Sequence, residues 1–302
     1  MPLGHPPPRR RLRHWLAYSA LLALGYFVGS HRLDAIQPPW SWRRTRSAGD
    51  GGAVHLALIS DASRLGHCLQ AIRSALAVYS GTETNVVFHY VLERHAHANA
   101  TAELGPDAAK VQLYDYDACE RLVQAVRPFS DPSIHVSAHC KFLLADILLD
   151  IDRALYLDTD TTVIQDVAPC ISSVPKDGAL FRMAVDMGDV CQRHPDRCWP
   201  IGFYKHSSDG LLEPVQVNGG VVLLELDEMR TRDFTRRYVH SVVMTHRVTG
   251  IVASYGDQDF INSYIRLHPE DFAFLPCGCN YQWWGRTHSK CAGEPVYIAH
   301  HW

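Results

Sequence analysis

The chain predicts an α/β fold: a mostly parallel central sheet with helices on both faces. Three observations lead there. From residue 53 onward, short apolar runs rich in strand-forming residues alternate with stretches of helical period. The first of them, Val54 to Ser60, and the run that ends at Asp158 read as buried strands, which suits a sheet covered on both faces. At 302 residues, 47% hydrophobic and 20% charged, the chain has the size and composition of one large globular domain or two small ones. A net charge of −3 gives no footing for nucleic acid as a partner.

The first fifty residues stand apart. Residues 1–14 hold Pro6-Pro7-Pro8-Arg9-Arg10-Arg11-Leu12-Arg13, a proline-rich basic tail. Residues 15–30 carry the apolar run Trp15 to Val28 with aromatic ends, which reads as an uncleaved signal-anchor. Arginines on its N-terminal side keep that end cytosolic and send the rest into a lumen, which makes a single-pass type II membrane protein. A cleaved signal peptide ending near Val28-Gly29-Ser30 is the competing reading. Residues 31–52, with Pro38-Pro39 and a Gly-Asp-Gly-Gly end, form a stem. Residues 53–302 carry the α/β pattern and form the folded domain.

Asn99-Ala100-Thr101 is a glycosylation sequon in an alanine-rich, exposed segment. Of nine cysteines, Cys191, Cys198, Cys277, Cys279 and Cys291 lie in polar, loop-like sequence and suit disulfides in an oxidising lumen. Cys277–Cys291 and Cys191–Cys198 are the expected pairs. Cys68 and Cys140 read as small buried hydrophobes. Cys277-x-Cys279 has no second pair at zinc spacing.

Val54 to Ser60 predicts the first strand, closed by Asp61. Ser63 caps a helix through Leu65, Leu69, Ile72, Leu76 and Val78. Strands follow at Thr84–Leu92 and Lys110–Tyr114, then a helix over His139–Leu149. Ala154-Leu155-Tyr156-Leu157 is the next strand, and it ends in Asp158-Thr159-Asp160 before apolar character resumes. Buried strands do not carry carboxylates without a partner. Where the chain turns, two acids one residue apart can converge on a divalent cation able to hold a diphosphate. A solvated turn is the plain alternative. Leu180 to Val185 is a short strand, and 187–214 is too long for an idle loop. Val215 to Leu226 is a strand interrupted by Asn218-Gly219-Gly220, a place for close approach of a ligand or for a β-bulge. A helix from Asp227 to Thr245, the motif Gly256-Asp257-Gln258-Asp259, a strand over Phe272–Leu275 and a last strand Val296–Ala299 running into His300-His301 complete the chain.

Asp-x-Asp-x-Thr after an apolar strand also occurs in haloacid-dehalogenase-type phosphatases. There it sits on the first core strand, whereas here about a hundred residues of strand–helix units precede it. The later acids also have the wrong spacing for that chemistry.

Four separated pieces resemble the family 8 retaining glycosyltransferases: Tyr156-Leu157-Asp158-Thr159-Asp160, Val217-Asn218-Gly219-Gly220-Val221, Gly256-Asp257-Gln258-Asp259 with Asn262, and Leu275-Pro276-Cys277-Gly278-Cys279-Asn280-Tyr281. The last two look most like the glucoside xylosyltransferases. The resemblance covers most of Val54 to Trp302. It implies the GT-A nucleotide-diphospho-sugar transferase fold, a UDP-sugar donor (xylose first), a glycan acceptor on a protein, and residence in the Golgi or endoplasmic reticulum.

It also implies roles. Asp158, Asp160 and a histidine of the last strand, His300 rather than His301, would hold Mn²⁺, since mixed oxygen and imidazole ligands suit it. Ser60 and Asp61 would meet the uracil and ribose, Lys141 the phosphates, and Thr159 and Gly219 the bound donor. Asn218 and Asp257 would bind donor hydroxyls. Gln258 would sit opposite the leaving group and stabilise oxocarbenium character. Asp259 is equally a helix N-terminal charge. No dedicated general base is visible, and a departing phosphate oxygen can take the acceptor's proton. Family members continue past the histidine with a glycine-containing basic segment that closes over the diphosphate, so the expectation at Trp302 is either an incomplete sequence or a differently built lid. A silent lumenal binding module of the same fold is the non-enzymatic alternative.

Overall fold

β1 (Val54–Ile59) is buried along its whole length. Leu56 and Leu58 join one apolar cluster with Leu69 and Ile72, while Ala57 and Ile59 join a second with Tyr156, Phe181 and Phe234. Successive side chains thus feed two cores, as a strand between two helical layers must. The computed structural model describes residues 52–130, 137–186, 203–206, 212–249, 256–282, 291 and 293–301. The basic tail, the apolar segment 15–30, the stem to residue 51, Cys191 and Cys198 lie outside them. Among the described residues no helix is long and apolar enough to cross a membrane.

Asp61, not Ser63, starts the first helix. Its Oδ1 accepts the backbone N–H of Ser63 at 2.7 Å and of Arg64 at 3.1 Å, opening a short 3₁₀ turn into α1 (Leu65–Tyr79). β2 (Val86–Leu92), α2 (His97–Leu104), β3 (Val111–Asp115) and α3 (Asp117–Val126) follow. The sequon lies in α2, with Asn99 exposed.

The helix expected over His139–Leu149 is broken into α4 (Ser137–Cys140), a 3₁₀ turn at Lys141–Leu143 and α5 (Leu144–Ile147). Lys141 through Ala145 are all buried, so no single face serves as the apolar stripe of a regular helix. Cys140 is not a lone hydrophobe: it is bonded to Cys119 of α3, which pins the start of this segment.

β4 (Arg153–Leu157), β5 (Thr161–Val163), α6 (Ala168–Ser172) and β6 (Phe181–Val185) come next. The long excursion contains an antiparallel pair, β7 (Phe203–His206) and β8 (Leu212–Val215). β9 (Val217–Glu225) is continuous through Asn218-Gly219-Gly220; what breaks there is its pairing with β6. The single helix expected from Asp227 is two, α7 (Leu226–Thr231) and α8 (Phe234–Thr249), separated at Asp233, whose φ of 50° ends a helix. α9 (Asp257–Leu267), β10 (Phe272–Phe274), β11 (Tyr281–Gln282) and β12 (Ile298–His300) complete the order.

The main sheet runs β10-β6-β9-β4-β1-β2-β3. All neighbours are parallel except β9, which is antiparallel to both β4 and β6. A smaller sheet, β11-β12-β5, stands beside it, with β12 antiparallel to β5. Cys277 pairs with Cys291 as expected, Cys279 pairs with Cys170, and Cys68 is a buried free thiol.

Candidate active site

The two acids lie on the turn that carries the chain from the large sheet to the small one. β4 ends at Leu157, Thr161 N–H and Oγ1 both bond the Asp158 carbonyl, and β5 begins. His300 is registered opposite Thr161 across the β5–β12 ladder, which sets it beside Asp160. Its Nε2 is 3.2 Å from Asp160 Oδ1, and one ligand atom each from Asp158, Asp160 and His300 lies within 4.8 Å of the others. His301 points elsewhere: its backbone N–H bonds the Asp160 carbonyl and its ring meets Thr162. About 3 Å is the spacing of neighbouring ligand atoms around a small hard cation. Two carboxylates and one imidazole are a donor set whose chemistry suits a divalent cation. Burial works to raise the Asp160 carboxyl, but the His300 ring outweighs it and holds the group below its usual range.

Lys141 is the second centre. Its side chain is 2% exposed, and Nζ lies 3.2 Å from Asp158 Oδ1, 3.1 Å from Asp257 Oδ2 and 2.8 Å from the Gly219 carbonyl that it bonds. Burial alone would lower its pKa; the two carboxylates reverse that and raise it. Asp257, the first residue of α9, is entered through Gly256 at φ 62°. Burial pushes its carboxyl up to about 6 against the pull of Lys141, with Asp158 adding repulsion. The site thus holds an ammonium between two carboxylates.

The other expected residues fall into place unevenly. Gln258 Nε2 donates to Asp186 Oδ2 at 2.7 Å, just past the end of β6. Gly219 lies against Lys141 and Asp257, with a β-carbon there meeting both at 3.1–3.2 Å. Asn218 Oδ1 accepts from Gly220 N–H and from Asn280 Nδ2, both at 2.9 Å. Thr159 is half-buried on the turn between the acids. Asp259 sits buried in the first turn of α9. Ser60 is 1% exposed and bonded at 2.6 Å to Tyr90 OH, so its hydroxyl faces the fold. Asp61 spends Oδ1 on the helix start described above.

Three residues escaped sequence reasoning. Tyr156 donates to Asp158 Oδ1 at 2.5 Å and lays its ring 4.8 Å from Lys141 Nζ. The signal was there: residues i and i+2 of a strand share a face. Asp186 closes β6 much as Asp158 closes β4, an acid at the end of an apolar run. Asn280 stands in the family-like piece Leu275 to Tyr281, which by itself gave it no role.

A profile of glycosyl transferase family 8 matches residues 55–302. This chain belongs to glycosyl transferase family 8. Among its relatives, glucoside xylosyltransferase 1 of Danio rerio is 23% identical over 90% of this chain and 66% of its own length. Probable galacturonosyltransferase-like 2 of Arabidopsis thaliana is 26% identical over 65% of this chain and 59% of its own. The family 8 chain thus spans about three-fifths to two-thirds of the length of these curated relatives. Mouse xyloside xylosyltransferase 1, in its apo form, superposes with a TM-score of 0.61 at 21% identity, covering 82% of this chain and 97% of that one. The galactosyltransferase LgtC, with donor and acceptor sugar analogs, gives 0.63 at 18% identity, covering 82% and 87%. These likenesses show the fold, which is GT-A.

Proposed function

We propose that this family 8 chain moves a sugar, xylose in the first place, from a UDP donor to a glycan on a protein, with retention of α configuration. The observation that carries the reading is the convergence of Asp158, Asp160 and His300 on one point in a family 8 glycosyltransferase. Mn²⁺ held there supplies a Lewis acid for the charge that develops on the departing diphosphate. Lys141 adds a fixed positive charge beside it. Asp257 and Gln258, consecutive at the start of α9, orient the donor's hydroxyls and face its anomeric carbon. A departing phosphate oxygen accepts the acceptor's proton on the same side of the sugar.

Xylose is preferred because relatives carry glucoside and xyloside xylosyltransferase names, while the galacturonosyltransferase-like relative keeps a uronate donor in view. One hydroxymethyl or carboxyl group separates these donors, and pocket shape decides among them. A lumenal, type II setting in the Golgi or endoplasmic reticulum is supported by the basic tail and apolar run 15–30, by three disulfides among the described residues, and by the exposed Asn99.

The test is release of UDP from UDP-xylose, UDP-glucose, UDP-galactose and UDP-galacturonate, with and without Mn²⁺, by wild type and Asp160→Asn. Mn²⁺-dependent turnover of one donor is expected, and its loss in the variant with an unchanged circular dichroism spectrum. Undiminished turnover by Asp160→Asn removes the metal from the account. Donor binding with neither hydrolysis nor transfer marks a silent module.

A further inference from the structure

Gly220 touches two of the three cation ligands through its own backbone. Its carbonyl accepts the Asp158 N–H at 2.8 Å. On its other side the His300 ring lies so close that a β-carbon would fall 2.0 Å from Cε1 and 2.3 Å from Nδ1. Glycine is therefore the one residue that admits the ring where it lies.

On the β4 side Gly220 is held by the ladder that pairs Leu157 with Val221 and by its own bond to Asp158; on the β6 side the main sheet does not hold it. β6 pairs Met183 with Val222 and then Ala184 with Asn218, so Gly219, Gly220 and Val221 are passed over in that ladder. The restraint on that side comes instead from a pair of amides. Asn218 Oδ1 accepts the Gly220 N–H, and the same oxygen accepts Nδ2 of Asn280, each at 2.9 Å. Both side chains are buried, Asn280 at 1% exposure. Asn280 is itself anchored twice: it follows Cys279, which is bonded to Cys170, and it precedes β11, whose Gln282 is paired with His300.

We infer that Asn280 is a positioning residue for the cation ligands. Through Asn218 it fixes the Gly220 pivot on which Asp158 and His300 converge. It acts at one remove, touching neither carboxylate, and it ties the small sheet that carries His300 to the strand that abuts Asp158. The inference rests on the metal-dependent reading of the site given above.

The competing view is that two buried amides merely satisfy each other, in which case their loss lowers stability and leaves metal affinity alone. Mn²⁺ binding separates the two. The probe is Mn²⁺, alone and with UDP, followed by the electron paramagnetic resonance signal of the free ion at a temperature where circular dichroism shows each variant folded. Asn280→Asp sets a carboxylate oxygen against Asn218 Oδ1, and Asn280→Ala removes the amide. Both are expected to weaken Mn²⁺ binding about 10- to 100-fold, the usual effect of losing a group that orients a ligand. Should Asn280→Asp not fold, Asn280→Ser carries the same expectation. Variants with lowered melting temperatures but wild-type Mn²⁺ affinity overturn the inference and leave the metal site standing. Wild type that fails to bind Mn²⁺ overturns the metal reading, and the pivot with it.

Discussion

Lys141 shows what a single side chain does for this site. Without it, Asp257 at 7% exposure and the nearby Asp158 carboxylate face each other in a poorly solvated setting. Breaking such a buried pair by removing one partner costs about 3–5 kcal/mol. Asp158 is about a third exposed, and Asp257 is already poised to take a proton, so the lower end applies. Lys141→Met should lose about 3 kcal/mol of unfolding free energy in urea, an order-of-magnitude figure on the same basis. Donor turnover should fall with it. A variant as stable as wild type would show that Lys141 is not needed as their counter-ion. The family resemblance had set Lys141 near the phosphates, but nothing in the residues around Cys140-Lys141-Phe142 announced its two ion pairs. A lysine in a helical pattern reads as solvated, and only the breaking of that helix turns it inward. Asp158 and Asp160 gave a weak sign, two acids where an apolar strand ends, and His300 was singled out by the family resemblance and its place at the end of the last strand; the fold brings the three together. The role of Asn280 was not legible, because an amide that acts on another amide leaves no pattern in one dimension.

At the scale of elements, three adjacent strands are joined by charge. Glu225 of β9 is cross-registered with Arg153 of β4, whose Nε bonds Oε2 at 2.8 Å. Arg182 of β6 reaches Glu225 Oε1 at 3.0 Å from the other side. Arg182 is 1% exposed and Glu225 4%, so neither has water to fall back on. Glu225→Ala takes the shared carboxylate from two guanidinium groups, of which Arg182 keeps Asp177, and should cost about 3 kcal/mol in equilibrium unfolding. Glu225→Gln, which keeps hydrogen bonds to one arginine, should cost less. Equal, small losses in both would mean that solvent reaches the cluster. The strands of this sheet and their mostly parallel run were largely readable from the alternation of apolar runs with helical stretches, though their order across the sheet was not. The reversed direction of β9 was not, since a buried strand has the same composition whichever way it runs. Helix ends were the weakest part of the reading: Asp61 displaces Ser63 as the cap, and Asp233 divides what looked like one helix.

For the molecule as a whole, acid sensitivity is built into the β1–β2–β3 side of the sheet. His89 is 1% exposed, bonded to His55 at 2.8 Å and to Tyr114 OH at 3.0 Å, with Asp150 on the lining of the same groove. Burial first, and His55 second, push its pKa down to about 3. The unfolded chain takes up this proton near its ordinary value of about 6.5, so stability is full above that pH and declines as pH falls toward 3. At roughly 1.4 kcal/mol per unit of difference, the loss reaches a few kcal/mol at the acid end. His89→Phe should flatten the melting temperature against pH between 6.5 and 4, measured by calorimetry. An unaltered slope would place the sensitivity elsewhere.

The bond between Cys170 and Cys279 spans a sequence separation of 109 residues, with Asp158 and Asp160 shortly before it and Asn280 and His300 after it. A protease that cuts once between those two cysteines therefore releases nothing. Both pieces stay tethered, each still holding its share of the ligands, and they part only when a reductant opens the sulfur bridge.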